Sequence, residues 1–232
     1  MNIMALLAAA TVGTSTVSIH PVADPDGRSR PTWATANVPD TVWILVETAT
    51  ETGDGERAKT LLREAEVHAR AAVEEGASDV GRRYALAVVL GLRANLEGGQ
   101  DKVRAASGLG TQLEAILAAE PDHVGARHML GRLHAGVRRM NRVTRWIATN
   151  LLGGDELRKA TWEAAEENLA FAEDRAPEIA DHHLQLARLY HDTGRPELAL
   201  RELEHVVEVP AVRALELAVR AEAMALREEL GS

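Results

Sequence analysis

The sequence contains no cysteine, which excludes disulfide bonds, thiolate catalysis and thiolate metal sites. Aromatic residues make up only 3% of its 232 residues, and Phe occurs once. Strands favour aromatic and β-branched side chains, whereas the abundant Ala, Leu, Glu and Arg of this chain favour helices. We therefore expect an almost all-helical protein.

Lysine is also scarce, with three residues, and the 35 acidic side chains outnumber the 26 basic ones, which gives a net charge of −9 at pH 7. Polyanions attract surfaces of the opposite charge, so we expect no nucleic-acid partner. A local basic segment is compatible with this balance.

The chain lacks an apolar run long enough to cross a bilayer. Its first residues, "MNIMALLAAATVG", hold about 11 apolar residues, which fits the core of a secretory signal. No Lys or Arg precedes this run, so export to a periplasm is one expectation and a cytoplasmic protein is the alternative. Prolines between Ser15 and Pro39 predict a linker. The predicted domains are a signal-like apolar segment and Pro-rich linker over 1–39 and a helical repeat domain over 40–232.

A repeated spacing is the clearest positive signal. It consists of big–small–x2–big in one helix, small–x3–big in the next and Pro at the exit, close to the tetratricopeptide pattern. In "LQLARLYHDTGRPELALRELEHVVEVP" these positions are Leu186, Ala187, Tyr190, Ala199, Leu203 and Pro210. Small residues let paired helices approach, and the larger ones fill the space around them. Gly194 predicts a helix end and Pro196 a helix start.

The same spacing recurs twice earlier in the chain, with longer connections. Its positions there are Leu130, Gly131, His134, Ala165, Leu169 and Pro177, and then Leu86, Ala87, Leu90, Leu109, Leu113 and Pro121. His134 and Ala165 are 31 residues apart, against 9 for Tyr190 and Ala199, so that hairpin carries 22 additional residues. The earlier hairpin carries 10. A weaker first unit pairs 42–50 with a helix that contains Ala65, Ala69 and Ala72.

These copies predict an all-α, tetratricopeptide-like α-α superhelix of about four helical hairpins, two of them extended, with a capping helix over 212–230. An unrelated helical bundle is the alternative. A bundle shares the 3.6-residue periodicity but does not predict the small–x3–big spacing followed by Pro.

The longer insertion contains "MNRVTRWIATNLLGG", residues 140–154. A helical wheel places Met140, Val143, Ile147 and Leu151 on one side and the arginines on the other, which predicts a basic amphipathic helix. The members of this basic insertion are Arg138, Arg142, Arg145 and Trp146. Either it prolongs the first helix, with its arginines facing water or Glu163, Glu166 and Glu167, or it binds an acidic peptide or lipid headgroups. The second role includes peripheral membrane contact.

A concave groove is the other candidate site. In such stacks, first-helix positions on either side of the big–small pair face inward. They are Tyr84, Val88, His128, Arg132, Leu184, Arg188 and His191. Cationic and apolar side chains together suit a protein or peptide partner with an acidic group. We therefore expect a non-enzymatic protein–protein interaction module or scaffold, with a lipid-binding or membrane-contact protein as the alternative.

No pattern in the sequence indicates catalysis or a cofactor. His123, His128 and His134 miss the i, i+4 spacing of helical metal ligands, and His182 and His183 point to different helix faces. The chain has no HExxH, GxSxG or Walker motif. The carboxylates have the spacing of solvated helix faces. We expect no enzyme activity, no cofactor and no metal site.

Three stretches of the chain resemble the regulator of microtubule dynamics family. They are "GQDKVRAASGLGTQLEAILAAEPDHVGARHMLGRLHAGV", "RWIATNLLGG" and "ATWEAAEENLAFAEDRAPE". The resemblance covers about residues 56–208 and places both insertions where the family has them. It implies a tetratricopeptide-like fold, no catalytic residues and, for a eukaryotic member, a microtubule-associated regulator. The excess of Arg over Lys favours a bacterial member.

Overall fold

The computed structural model describes residues 33–150, 152, 154–210 and 214–231. These residues form α-helices and a 3-10 helix, and they contain no β-strand. The α-helices are α1 (Asp40–Glu51), α2 (Gly55–Glu75), α3 (Val80–Leu96), α4 (Gly99–Ala119), α5 (Val124–Arg139), α6 (Arg142–Asn150), α7 (Trp162–Arg175), α8 (Ala180–Asp192), α9 (Pro196–Glu208) and α10 (Ala214–Leu230). The predicted all-α fold class is confirmed. None of the described helices combines the length and the hydropathy that crossing a membrane requires.

The described helices fall into two compact units, here called the N-terminal unit (residues 33–123, α1–α4) and the C-terminal unit (residues 124–231, α5–α10). The repeat domain predicted over 40–232 includes the helices of both units. Each unit is built from helical hairpins: α1 with α2 and α3 with α4, then α5 with α7 and α8 with α9. The signal-like segment and most of the predicted linker, residues 1–32, lie outside the described residues.

The end of the predicted linker is packed within the N-terminal unit. Trp33, Ala34 and Val38 are buried, with at most 3% of each side chain exposed. The amide of Asn37 donates to Asp79 Oδ2 at 2.7 Å, just before α3. The linker prediction is wrong for these residues, because the apolar side chains between Pro31 and Pro39 are buried in the core of the N-terminal unit.

The first two hairpins match the predicted spacing. Ala65, Ala69 and Ala72 are buried along α2, where small side chains were expected. The additional residues of the second hairpin do not form a loop. They lengthen α3 to 17 residues and α4 to 21, and the helices are joined by the short turn Glu97–Gly98. Gly99 follows this turn with φ of +54°, which favours glycine.

A buried carboxylate fastens this turn to α2. Glu97 accepts two hydrogen bonds from Arg63, both of 3.0 Å, and one from Arg93 of 3.2 Å. Burial alone would raise the pKa of Glu97, but the two guanidinium groups lower it. The expectation of solvated carboxylates is therefore wrong at Glu97, which is 8% exposed.

The small residues of the C-terminal unit lie where the paired helices touch, as predicted. Ala165, Ala187 and Ala199 are fully buried. A Cβ at Gly131 would lie 2.7 Å from Leu169 Cγ, so α5 and α7 pack with no room for a side chain there. In the next hairpin, Gly194 has φ of +72° in the turn and Pro196 begins α9.

The last helix caps the C-terminal unit. Val219 and Ala223 of α10 are buried in one apolar cluster with Leu184, Leu203 and Val206 of α8 and α9. Through this cluster α10 packs against the last hairpin, α8 and α9, at the place where the capping helix was predicted.

Candidate functional site

The predicted groove residues of the N-terminal unit, Tyr84 and Val88, lie on α3 and are core residues. Their side chains are 2% and 1% exposed. The rings of Tyr84 and His123 pack with 4.7 Å between centroids, and burial raises the pKa of the tyrosine hydroxyl. The expectation that these two side chains line an open groove is therefore wrong.

Two predicted groove residues of the C-terminal unit, His128 and Leu184, are buried as well. The structure brings His128 together with Arg132 around a carboxylate that the sequence analysis missed, Asp181. Arg132 Nη1 lies 3.1 Å from Asp181 Oδ2. Asp181 lies in the first turn of α8, on the face that also carries the buried Leu184. That position is the sequence signal from which its burial could have been predicted.

The remaining groove residues, Arg188 and His191, are partly exposed on α8. Arg188 pairs with Glu222 of α10, and His191 Nε2 lies 3.7 Å from Glu229 Oε1. The predicted groove cations thus have carboxylate neighbours within the chain. Their binding to an acidic peptide stays a prediction, and it would require an exchange of partners.

Asp181 is the centre of a buried polar cluster. Its Oδ2 lies 3.1 Å from His128 Nε2, and its Oδ1 accepts a 2.8 Å hydrogen bond from Gln185. Burial alone would raise the pKa of Asp181, but Arg132 and His128 hold that pKa well below its usual range. The cluster ties α5 to α8 through an ionised carboxylate.

His182 extends this cluster on the other side of His128. The two rings stack with 4.6 Å between centroids, and His182 Nδ1 lies 3.2 Å from the carbonyl oxygen of Ala176. Burial, with a smaller effect of His128, lowers the pKa of His182 to about 3. His182 is therefore neutral, because a charge on its fully buried ring would be poorly solvated.

The neighbouring His183 points away from this cluster, as its sequence position predicted, and meets two carboxylates. Its Nδ1 lies 2.9 Å from Glu202 Oε2 and 3.8 Å from Glu173 Oε1. Burial alone would lower the pKa of His183, but its contacts with Glu202 and Pro177 raise it. Desolvation, with Glu202 close by, raises the pKa of Glu173.

The basic insertion forms a separate short helix, α6. The predicted prolongation of α5 is wrong, because α5 ends at Arg139 and Asn141 starts a new helix by accepting the amide hydrogen of Thr144 at 2.8 Å. Arg145 donates to the carbonyl oxygens of Arg138 and Met140 at the end of α5. Arg158 donates to the carbonyl oxygen of Thr149 at 2.9 Å, so contacts at both ends hold α6 in place.

The apolar side of α6 faces solvent. Ala148 and Thr149 are buried, whereas Val143, Trp146 and Ile147 are 68%, 57% and 37% exposed. We call these three exposed side chains the α6 patch. The wheel predicted the amphipathic helix correctly, but not which side the protein buries. Leu151, the last residue of the predicted apolar side, lies outside the described residues.

Of the two alternatives for the arginines of the insertion, water or the acidic run, exposed Arg142 fits the first, and two carboxylates of the acidic run lie close to arginines of other helices. Glu166 binds Arg195 of the next hairpin at 2.7 Å, and Glu167 Oε1 is 3.9 Å from Arg127. Glu163 has its pKa lowered mainly by hydrogen bonds from its own backbone and Thr161, with a smaller effect of Arg138. Arg142 is exposed beside the α6 patch.

The comparisons with known proteins agree with this architecture. Residues 38–231 match the family model described as regulator of microtubule dynamics protein 1-3. A comparison with curated proteins returns no match. The matched range contains every described helix and both extended hairpins. The chain therefore belongs to the regulator of microtubule dynamics protein 1-3 family.

Proposed function

We propose that the protein is a non-enzymatic interaction module, and that its α6 patch binds an apolar segment of a partner protein flanked by acidic side chains. The exposure of Val143, Trp146 and Ile147 on one anchored helix carries this proposal. Exposed apolar side chains clustered on one face mark interaction sites more often than scattered ones do.

The size of the α6 patch suits a reversible contact. Full burial of a large apolar side chain is worth roughly 1.5–3 kcal/mol, and Trp is enriched among residues that dominate binding. Three such side chains, less the cost of association, support a weak or moderate affinity. The hydrogen bonds that hold α6 reduce the entropy lost on binding.

Charge favours an acidic flank on the partner. Arg142 is exposed next to the α6 patch, and Arg145 uses its guanidinium for backbone carbonyls. An acidic segment would therefore meet positive charge at this place, although the chain as a whole carries −9.

The described ionisable cluster around Asp181 supports a role without catalysis. Asp181, His128 and His182 are each at most 3% exposed, so a substrate has no direct access to them. Their hydrogen bonds join α5 to α8, which is a structural role.

Affinity capture with matched variants tests the proposal. Trp146→Glu places a charge in the α6 patch, and Val67→Glu places one on a similarly exposed site of α2, since Trp146 is 57% and Val67 67% exposed. We expect a partner retained by the native protein and by Val67→Glu to be lost with Trp146→Glu. Cytoplasmic and exported extracts should be used separately, because export is itself a proposal from the first residues. Identical capture by both variants would contradict the α6 site.

A membrane surface is the alternative occupant, since Trp and Arg on an amphipathic helix also suit lipid headgroups. The nine residues of α6 offer only three large exposed apolar side chains, which favours a protein segment over a bilayer. Cosedimentation with anionic phospholipid vesicles, and separately with microtubules because of the family description, distinguishes these occupants. If the protein binds the vesicles and Trp146→Glu abolishes that binding, the partner of the α6 patch is a membrane and not a protein.

A further inference from the structure

Three ligand-type side chains converge in the C-terminal unit from three successive helices. They are Glu173 of α7, His183 of α8 and Glu202 of α9, and one ligand atom from each lies within 4.8 Å of the others. Ligand atoms that each lie about 2.0–2.2 Å from one ion are at most about 4.4 Å apart, so the three side chains would have to move slightly closer together. Small side-chain adjustments would bring all three onto one ion.

The orientation of His183 is fixed by its other ring nitrogen. Nε2 lies 2.8 Å from the carbonyl oxygen of Pro177, and a carbonyl oxygen only accepts hydrogen bonds. Nε2 therefore carries a hydrogen, and Nδ1 faces the carboxylates of Glu173 and Glu202. Metal-binding histidines characteristically donate their second ring N–H to a backbone carbonyl or a carboxylate in this way. The ring is 3% exposed, so it is held in this orientation.

When His183 is neutral, its Nδ1 and the carboxylates of Glu173 and Glu202 present only acceptors to one another, and a cation between them would contact all three. A proton on His183 would satisfy Glu202 alone at 2.9 Å, whereas a divalent ion would satisfy both carboxylates.

Access and further ligands are also present. The side chains of Glu173 and Glu202 are 29% and 19% exposed, so an ion can reach them from solvent. The exposed ring of His205 lies 5.2 Å from that of His183, centroid to centroid, one turn after Glu202 on α9. Water or His205 can therefore complete the coordination.

We propose that Glu173, His183 and Glu202 bind a divalent transition-metal ion of the Zn²⁺ class. The imidazole ligand selects this class, since Mg²⁺ and Ca²⁺ prefer oxygen ligands throughout. The bound ion joins α7, α8 and α9, and it stabilises the folded chain because the unfolded chain does not hold the three ligands together.

Zn²⁺ titration of the full chain, stripped of metal with a chelator, tests this site. Isothermal calorimetry and thermal melting are measured at neutral pH for the native protein, Glu173→Gln and Glu202→Gln. The matched control is His191→Gln, because His191 forms a partly exposed pair with Glu229 at 3.7 Å. Both glutamine variants keep the shape of partly exposed side chains, and circular dichroism checks that they fold.

We expect the native protein and His191→Gln to bind one Zn²⁺ and to melt at a higher temperature with it. Each glutamine variant should bind Zn²⁺ at least tenfold more weakly and lose most of the rise in melting temperature. Zn²⁺ binding equal in the native protein and the glutamine variants, or no binding to the native protein, would overturn the proposal. In that event a protonated His183 is the cation that the carboxylates meet.

Discussion

Gly131 shows at the scale of a single residue how the fold depends on close helix packing. A Cβ at this position would lie 2.7 Å from Leu169 Cγ and 3.0 Å from the carbonyl oxygen of Ala165. The backbone of α7 cannot yield as a flexible side chain would, so an added methyl group forces the helices apart.

We therefore expect Gly131→Ala to lower the free energy of unfolding by about 1–3 kcal/mol. Gly136→Ala is the matched control on the same helix, because an added Cβ there would have no atom of the described residues within 4 Å outside its own helix backbone. That substitution should raise the stability by roughly 0.5–1 kcal/mol, since Ala is the better helix former. Urea unfolding of both variants measures the difference. Equal stability of the two would show that α5 and α7 do not touch at Gly131.

His182 makes the free energy of unfolding depend on pH. Its pKa is about 3 in the folded protein, below the ordinary value of 6.5, so the unfolded chain takes up the proton first. The contribution of neutral His182 to the free energy of unfolding is therefore fully present above pH 6.5, and it decreases as the pH falls from 6.5 towards 3. His128, whose pKa burial also lowers, acts in the same direction.

The contribution of His182 to the loss of stability between pH 7 and pH 5 should be about 2 kcal/mol. His182→Gln, which removes the titrating ring, should reduce the loss by about that amount, although it lowers the stability at pH 7. Urea unfolding at the two pH values gives both numbers. A variant that loses as much stability as the native protein would mean that His182 is not buried and neutral.

At the scale of the element, α6 depends on its cap and its end contacts rather than on packing. Asn141 accepts the amide hydrogen of Thr144, and the described side chains that α6 buries are small ones, Ala148 and Thr149. A helix this short is marginal without such contacts.

Asn141→Ala should destabilise α6 by about 1 kcal/mol, which corresponds to roughly fivefold faster amide exchange over residues 144–150. Asn95→Ala, at an exposed site of α3, is the control and should leave this exchange unchanged. Hydrogen–deuterium exchange by mass spectrometry resolves both peptides. Unchanged exchange in Asn141→Ala would show that the cap does not hold α6.

The element scale also shows what sequence spacing can predict. The hairpins, the turn at Gly194 and the capping helix follow from local residue types, because propensity and small–big spacing act over a few turns of helix. The helical wheel of the insertion predicted an amphipathic helix, but it did not predict which side chains of that helix are buried. Burial depends on what the rest of the chain places beside it, and here Arg145 and Arg158 fasten the helix at its ends.

At the scale of the whole molecule, the candidate site was less predictable than the fold. The arginines expected in the groove form ion pairs with carboxylates far away in the sequence. Arg132 pairs with Asp181, and Arg188 pairs with Glu222. Repeat spacing fixes which positions face inward, but not which carboxylate meets them there. The convergence of His183 with two carboxylates was missed for the same reason, since each ligand comes from a different helix.

The proposed role of the molecule rests on a partner that contacts the α6 patch. Photo-crosslinking in the native cells tests this most directly, with p-benzoylphenylalanine introduced in place of Trp146 or, as the control, in place of Val67. We predict that one partner protein is crosslinked from position 146 and not from position 67. Crosslinks that are the same from both positions, or that are absent at 146, would contradict the account.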